Sequence, residues 1–241
     1  MSEVRGKDWD QYWLDSAKSK GLFEIIAKFY RRYIISPAVK HYFHKYFRDE
    51  PGRVYLHAGC GSSESDNRIQ FQRSQFVLMD ISLEGLLIAR QKSTLKNAHF
   101  VCGDIYNPPF KTGSLDGLWN LGVMEHFYEE EITRIFQALS RPLKSGGRCL
   151  ILWPPKYGAS VIALTSFLFV ANKLRKQPLV LYPDEVSRFA SRRWVQRLLA
   201  PARLEVEAVH FGPRDAFTYT VLVATTSPAT NPSTVTTPAT A

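Results

Sequence analysis

The most informative residues are two glycines and two aspartates placed where apolar runs end. Val54 to Ala58 is apolar and leads into Gly59-Cys60-Gly61-Ser62-Ser63-Glu64. Glycine at 59 and 61 lets the backbone turn sharply and approach a ligand, with amides at the start of an expected helix facing it. Asp80 closes the next apolar run, about 20 residues after the glycines, the place from which an acid accepts hydrogen bonds from two ribose hydroxyls. Cys102-Gly103-Asp104-Ile105 ends the third run with another carboxylate. A single Gly-x-Gly is equally an ordinary tight turn, and a single acid is more often a cap. Three successive strand ends bearing Gly-x-Gly, Asp and Asp point instead to a nucleoside pocket.

Past the fourth run stands Val123-Met124-Glu125-His126-Phe127. A histidine with a free-solution pKa of about 6.5 can take a proton from an acceptor hydroxyl. The alternative is that Glu125 and His126 only orient the loop and the helix after it. A dinucleotide site would want a third glycine where Glu64 stands, and a carboxylate there repels a pyrophosphate. Asn107-Pro108-Pro109-Phe110 precedes the fourth run and reads as a connecting loop.

The elements that must position these groups alternate. Val54 to Ala58, Phe76 to Asp80, His99 to Cys102, Leu115 to Leu121 and Cys149 to Trp153 read as strands. Between them, helices start at Ser82 and span Glu129 to Leu139. This is the βαβ pattern of a mainly parallel sheet covered on both faces. Residues 21 to 47 read as two helices broken near Pro37, aromatic on one side and basic on the other. Gly158 to Leu199 reads as further helix interrupted at Pro178 and Pro183. Leu204 to Phe211 and Phe217 to Ala224 read as strands pairing antiparallel at the sheet edge.

The chain has 241 residues, 45% of them hydrophobic, enough for a sizeable core. Its net charge of +9 favours anionic partners without naming one. Cys60, Cys102 and Cys149 stand singly with no metal-ligand spacing, so three free thiols, no metal site and a reducing, cytoplasmic setting are expected. The amino terminus, MSEVRGKDWDQYW, has no apolar stretch of a secretory signal. The longest apolar run, Ala159 to Ala171, falls short of the roughly 20 residues needed to span a bilayer. Thr225 to Ala241 is uncharged and poor in large apolar residues, and is expected to be a disordered tail.

Taken in order, LHAGCGSSES, VLMD, FVCGDIYNPPF, SLDGLWNLGVMEHF and SGGRCLILWPP resemble the class I S-adenosylmethionine-dependent methyltransferases, within them the type 11 group, over residues 53 to 153. The resemblance implies a Rossmann-like α/β methyltransferase fold: a mainly parallel seven-stranded sheet with an antiparallel edge strand. It places Gly59, Cys60 and Gly61 against the methionine part of S-adenosylmethionine, Asp80 on the ribose and Ile81 on the adenine. Asp104 would contact the adenine amino group, Ile105 its ring, and Asn120 and Leu121 would lie beside the sulfonium. Two positions depart from the pattern. His57 stands where many members have an acid, and Ser63 replaces a glycine, so the amino-acid end of the cofactor is expected to be held differently, with His57 among its neighbours. Trp9, Tyr12 and Trp13 match an aromatic cluster common before such domains; these rings, Tyr12 and Trp13 foremost, either close over the cofactor or plug the amino-terminal helix onto the domain.

The expected organisation is a helical lid (1–50), a methyltransferase domain (51–224) with a helical roof (158–200), and the tail (225–241). Lys173, Arg175, Lys176, Arg188, Arg192, Arg193 and Arg197 make the roof basic. The expected reaction is displacement by an acceptor oxygen, nitrogen or carbon on the sulfonium methyl, leaving S-adenosylhomocysteine. The expected partners are a small-molecule or lipid-like acceptor, anionic or amphipathic, and an anionic membrane touched at its periphery. Nucleic acid is less favoured, since no RNA-binding module accompanies the domain. A catalytically silent binding protein and an RNA or DNA methyltransferase remain the alternatives.

Overall fold

The computed structural model describes residues 2–18, 28–156, 158, 173 and 185–226. Helix α1 is Ser2–Lys18. Residues 28–30 are helical and continue through a π-turn, Arg31–Ile35, into α2, Ser36–Tyr46. The domain then alternates β1 (Val54–Ala58), β2 (Gln75–Asp80), α3 (Leu83–Lys92), β3 (Ala98–Cys102), β4 (Leu115–Leu121), α4 (Glu129–Ser140) and β5 (Leu143–Trp153). It closes with α5 (Arg192–Leu199), β6 (Leu204–His210) and β7 (Thr220–Thr226).

The seven strands form one sheet in the order β3-β2-β1-β4-β5-β7-β6. β1 to β5 run parallel, and β7 runs antiparallel to both β5 and β6. The fold class is the one expected, with the reversed strand one place in from the edge. The strands between β2 and β5 are apolar on both faces because both faces are covered. On one face Leu56, Leu118 and Trp153 of the sheet pack against Ile132, Ile135 and Phe136 of α4 and Val195 and Leu199 of α5. On the other, Phe43 of α2 inserts among Tyr55, Phe71, Phe76 and Trp119. Gly117 in β4 is required there, since a Cβ would lie 2.3 Å from the Phe47 ring.

Four expectations are corrected. No α-helix follows the glycine turn: a single 3-10 turn, Glu64–Asp66, stands there. Ser63 adopts φ 54°, which ends any helical path, and Asp66 is drawn into the core by three donors. α2 covers that face of the sheet instead. Pro37 does not break the amino-terminal helix. The π-turn before it absorbs the defect, the Ser36 amide donating five residues back to Arg31, so that the proline enters in the first turn of α2. Phe217 lies outside β7, in a turn at φ 58°. Thr225 and Thr226 belong to β7, paired with Arg148, Glu205 and Leu204, so no tail begins at 225. The remainder of the expected tail, most of the roof and residues 19–27 of the expected lid lie outside the described residues.

Candidate active site

The carboxyl ends of β1, β2, β3 and β4 lie side by side, so the residues that follow them meet at one edge. After β1 the chain doubles back at Gly59 (φ 74°) and Gly61 (φ 48°), the left-handed region that favours glycine. The amides of Gly59 and Cys60 both donate to the Met79 carbonyl, at 2.8 and 3.0 Å, clamping the turn onto β2. A Cβ at 59 would lie 2.7 Å from Val123 Cγ2, and one at 61 only 2.4 Å from Trp13 Cζ2. The Cys60 thiol is buried, which pushes its pKa well up.

Asp80 is buried at the end of β2. Its Oδ2 accepts from the Gly61 amide at 2.7 Å and its Oδ1 from the Ser82 amide at 2.9 Å. Burial pushes its carboxyl above the ordinary range, against the opposing pull of these amides and of His57. Each oxygen keeps a second lone pair, the capacity two ribose hydroxyls would use. Ile81 is half-buried, 3.7 Å from where a Cβ on Gly6 of α1 would stand.

Beneath the turn lies a network that sequence reasoning missed. Asp66 has no exposure, and its Oδ2 accepts from His57 Nδ1 and from the Ser63 hydroxyl, both at 2.6 Å. Its Oδ1 accepts from Trp119 Nε1 at 3.0 Å, and the His57 ring stacks on Trp119 at 4.6 Å. The two departures from the family pattern, His57 and Ser63, are thus two of the three donors to one buried carboxylate. His57 Nε2 has no hydrogen-bond partner among the described residues. Nothing in the spacing of 57, 63, 66 and 119 announces this meeting.

At the end of β3, Asp104 is half-exposed and its Oδ1 accepts from the Tyr106 amide at 2.9 Å, while Ile105 turns into the core. At the end of β4, Asn120 is fully buried. Its Nδ2 donates to the Ala58 carbonyl at 2.5 Å and its Oδ1 is unpartnered among the described residues. Leu121 packs at the margin of the α2-side core. A glycine turn with no room for a side chain, a carboxylate with spare lone pairs, and the orphaned Asn120 Oδ1 and His57 Nε2 together fit a polar, adenosine-bearing ligand.

The far wall comes from α1 and from the loop after β4. Asp10 of α1 accepts from the Ser82 hydroxyl at 2.6 Å and the Glu84 amide at 3.1 Å, which docks α1 on the start of α3. Trp13 then lies across Gly61 and Gly85. Its ring meets Tyr12 edge to face, Tyr12 meets Trp9, and Trp9 meets His126 at 5.2 Å. Asp10 is the working residue of α1 that sequence reasoning did not single out. Glu125 is buried, with Oε2 unpartnered among the described residues, and burial pushes its carboxyl up to about 8. The amides of Val186 and Ser187 donate to the Glu125 carbonyl at 2.7 and 3.0 Å, and the Ser187 hydroxyl to that of Met124 at 2.9 Å. Among the described residues, no cluster of His, Cys, Asp or Glu could hold a metal ion, and no helix is long and apolar enough to cross a membrane.

Residues 56–151, the stretch from β1 to β5 that builds this edge, match the family model described as a methyltransferase domain. This stretch of the chain carries a methyltransferase domain. A comparison with curated protein sequences gives no match. Among solved structures, magnesium protoporphyrin IX methyltransferase from Synechocystis PCC 6803, with bound S-adenosylhomocysteine, superposes with a TM-score of 0.67 at 14% identity, over 94% of this chain and 100% of that one. Geranyl diphosphate C-methyltransferase from Streptomyces coelicolor A3(2) gives 0.55 at 16%, over 78% and 75%. A methyltransferase from Aquifex aeolicus gives 0.54 at 16%, over 80% and 90%. At these identities the superpositions establish the shared fold.

Proposed function

We propose that the protein is an S-adenosylmethionine-dependent methyltransferase that acts on a small-molecule or lipid-like acceptor, anionic or amphipathic. The observation that carries the reading is the wall facing the acceptor side. Trp9 meets His126 edge to face beside the loop after β4, and Glu125, pushed up to about 8, is neutral at neutral pH. An aromatic wall beside a neutral carboxyl suits an apolar body. Two structural neighbours are named for acceptors, magnesium protoporphyrin IX and geranyl diphosphate, that join an apolar body to charged groups.

S-adenosylmethionine supplies the electrophilic methyl group on its sulfonium. In this reading the chain's own residues do the placing. Gly59 and Gly61 give the backbone close approach, Asp80 takes the ribose hydroxyls with Ile81 beside it, and Asp104 and Ile105 meet the adenine. Asn120 offers its free Oδ1 near the reacting end, with Leu121 next to it. His57 holds the turn from beneath through Asp66. Tyr12 and Trp13, carried on α1, exclude water from above. Neutral Glu125 can donate a hydrogen bond to the acceptor, and His126 can take its proton.

Transfer of labelled methyl groups into fractionated small molecules, lipids and RNA tests this. Label in amphipathic small molecules or lipids is the expected result. Label in RNA alone would overturn the acceptor class, and donor binding without label in any fraction would mark a silent binding protein.

A further inference from the structure

Residues 28–48 contain Lys28, Arg31, Arg32, Lys40, Lys45 and Arg48 and not one Asp or Glu. Such a segment repels no anion along its whole length. Within it, Phe29 and Tyr33 are four residues apart and therefore share one side of the helical turn. Their rings lie 4.5 Å apart and are 61% and 49% exposed, an uncommon state for two adjacent large aromatics. The inner side of the same segment is spoken for: Ile35, Val39 and Phe43 are in the core, and Arg31 reaches Glu64 at 3.4 Å.

The charges around the exposed pair are placed to serve it. The Arg32 guanidinium lies 5.7 Å from the Tyr33 ring centre, and Arg68, arriving from the loop after the glycine turn, lies 6.0 Å from it. Lys28 precedes Phe29. Among the described residues no carboxylate pairs with Lys28, Arg32 or Arg68. Two guanidinium groups and a neighbouring ring already occupy Tyr33, so the pair is poorly disposed to stack on nucleic-acid bases, which need an open ring face. Aromatic side chains with flanking cations are instead the composition of a surface that settles at the boundary between lipid headgroups and acyl chains.

We propose that the face formed by Lys28, Phe29, Arg32, Tyr33 and Arg68 docks the protein on an anionic bilayer surface, Phe29 and Tyr33 entering the interface and the three cations meeting lipid phosphates. Arg31 ties this helix to Glu64, and Lys92 holds the same Glu64 at 2.7 Å, so the docking face is joined to the loop that follows the glycine turn. This extends the lipid-like acceptor reading and stands or falls separately from it.

The test is co-sedimentation of the full chain with vesicles of phosphatidylcholine alone and of phosphatidylcholine mixed with phosphatidylglycerol. Binding to the anionic vesicles only, weakening with added salt, is expected. Arg32→Gln and Arg68→Gln should each weaken it about fivefold. The double variant Phe29→Ser/Tyr33→Ser should weaken it by about tenfold or more. Circular dichroism melting confirms that each variant is folded, and calorimetry with S-adenosylhomocysteine should give wild-type affinity in all of them. Equal binding to both vesicle types, no binding, or unchanged binding by folded variants overturns the proposal. So does an RNA oligomer that strips the protein from the vesicles and loses its grip in the arginine variants. Loss of vesicle binding with labelling of amphipathic small molecules or lipids intact removes the docking face alone, whereas vesicle binding with no label in either fraction removes the acceptor reading alone.

Discussion

Replacing Asp66 by alanine removes the one acceptor shared by His57 Nδ1, the Ser63 hydroxyl and Trp119 Nε1, at 2.6, 2.6 and 3.0 Å. The site has no exposure, so water does not take over as acceptor without opening the core. A buried donor left without a partner costs about 1–3 kcal/mol. The serine hydroxyl can rotate to another acceptor, which leaves two fixed ring N–H groups and an expected loss of about 3–5 kcal/mol. That is a large part of the roughly 5–15 kcal/mol available to a domain. Asp66→Asn keeps one oxygen for Trp119 and lets His57 accept through the other tautomer, so about half that loss is expected. Urea unfolding followed by circular dichroism reads both. Because the network underlies residues 59–66, affinity for S-adenosylhomocysteine should fall about tenfold in Asp66→Asn with no contact between Asp66 and the ligand. A loss below about 0.5 kcal/mol in Asp66→Ala, the size of an ordinary surface change, would refute the reasoning.

Three further predictions follow from the same geometry. Gly61→Ala meets both a φ of 48° and a Cβ position 2.4 Å from Trp13, whereas Gly113→Ala meets a φ of 66° with nothing within 4 Å. Both carry the left-handed backbone cost of about 1–2 kcal/mol, so a larger loss of melting temperature and of donor affinity in Gly61→Ala measures the Trp13 contact; equal losses would deny it. Glu125 has its pKa raised in the fold, so the folded state holds the proton more tightly than the unfolded one, and stability falls as pH rises from about 5 to about 8. Glu125→Gln should remove that slope, and an unchanged slope in urea titrations would contradict the assignment. Asp10→Ala deletes the acceptor for the Ser82 hydroxyl and the Glu84 amide, and α1 amides should exchange hydrogen about tenfold faster or more, while wild-type exchange would mean that α1 is held by something else.

How much of this was legible in the sequence depended on whether burial wrote itself as local pattern. β1, β2 and β4 were readable within a residue because buried parallel strands are continuous apolar runs, while β3, an edge strand with no buried residue, was readable only from its short apolar run His99 to Cys102. β5 begins at Leu143, six residues before its apolar part, because Lys144 to Arg148 are polar and the strand is extended there by its neighbours. The glycine turn, Asp80 and Asp104 were readable because each ends a run. The 3-10 turn at 64–66 was not, since what ends the helix is the pull of His57 and Trp119 on Asp66, a contact between distant residues. Pro37 suggested a break between two helices, but the structure absorbs it in a widened turn and the helix continues. Asp10 carried no signal of its own until the fold set it on Ser82, and Trp9, legible as one of an aromatic cluster, gave no sign that it would meet His126.

The central claim is that the carboxyl edge of β1, β2 and β4 holds the adenosyl group, with Asp80 at its ribose. Calorimetry of S-adenosylhomocysteine binding to wild type and Asp80→Asn tests it most directly. The wild type should bind, and the variant, still folded by circular dichroism, should bind about 10- to 100-fold more weakly, the loss of one or two hydrogen bonds to a charged acceptor. Equal affinity in the two proteins would contradict the account.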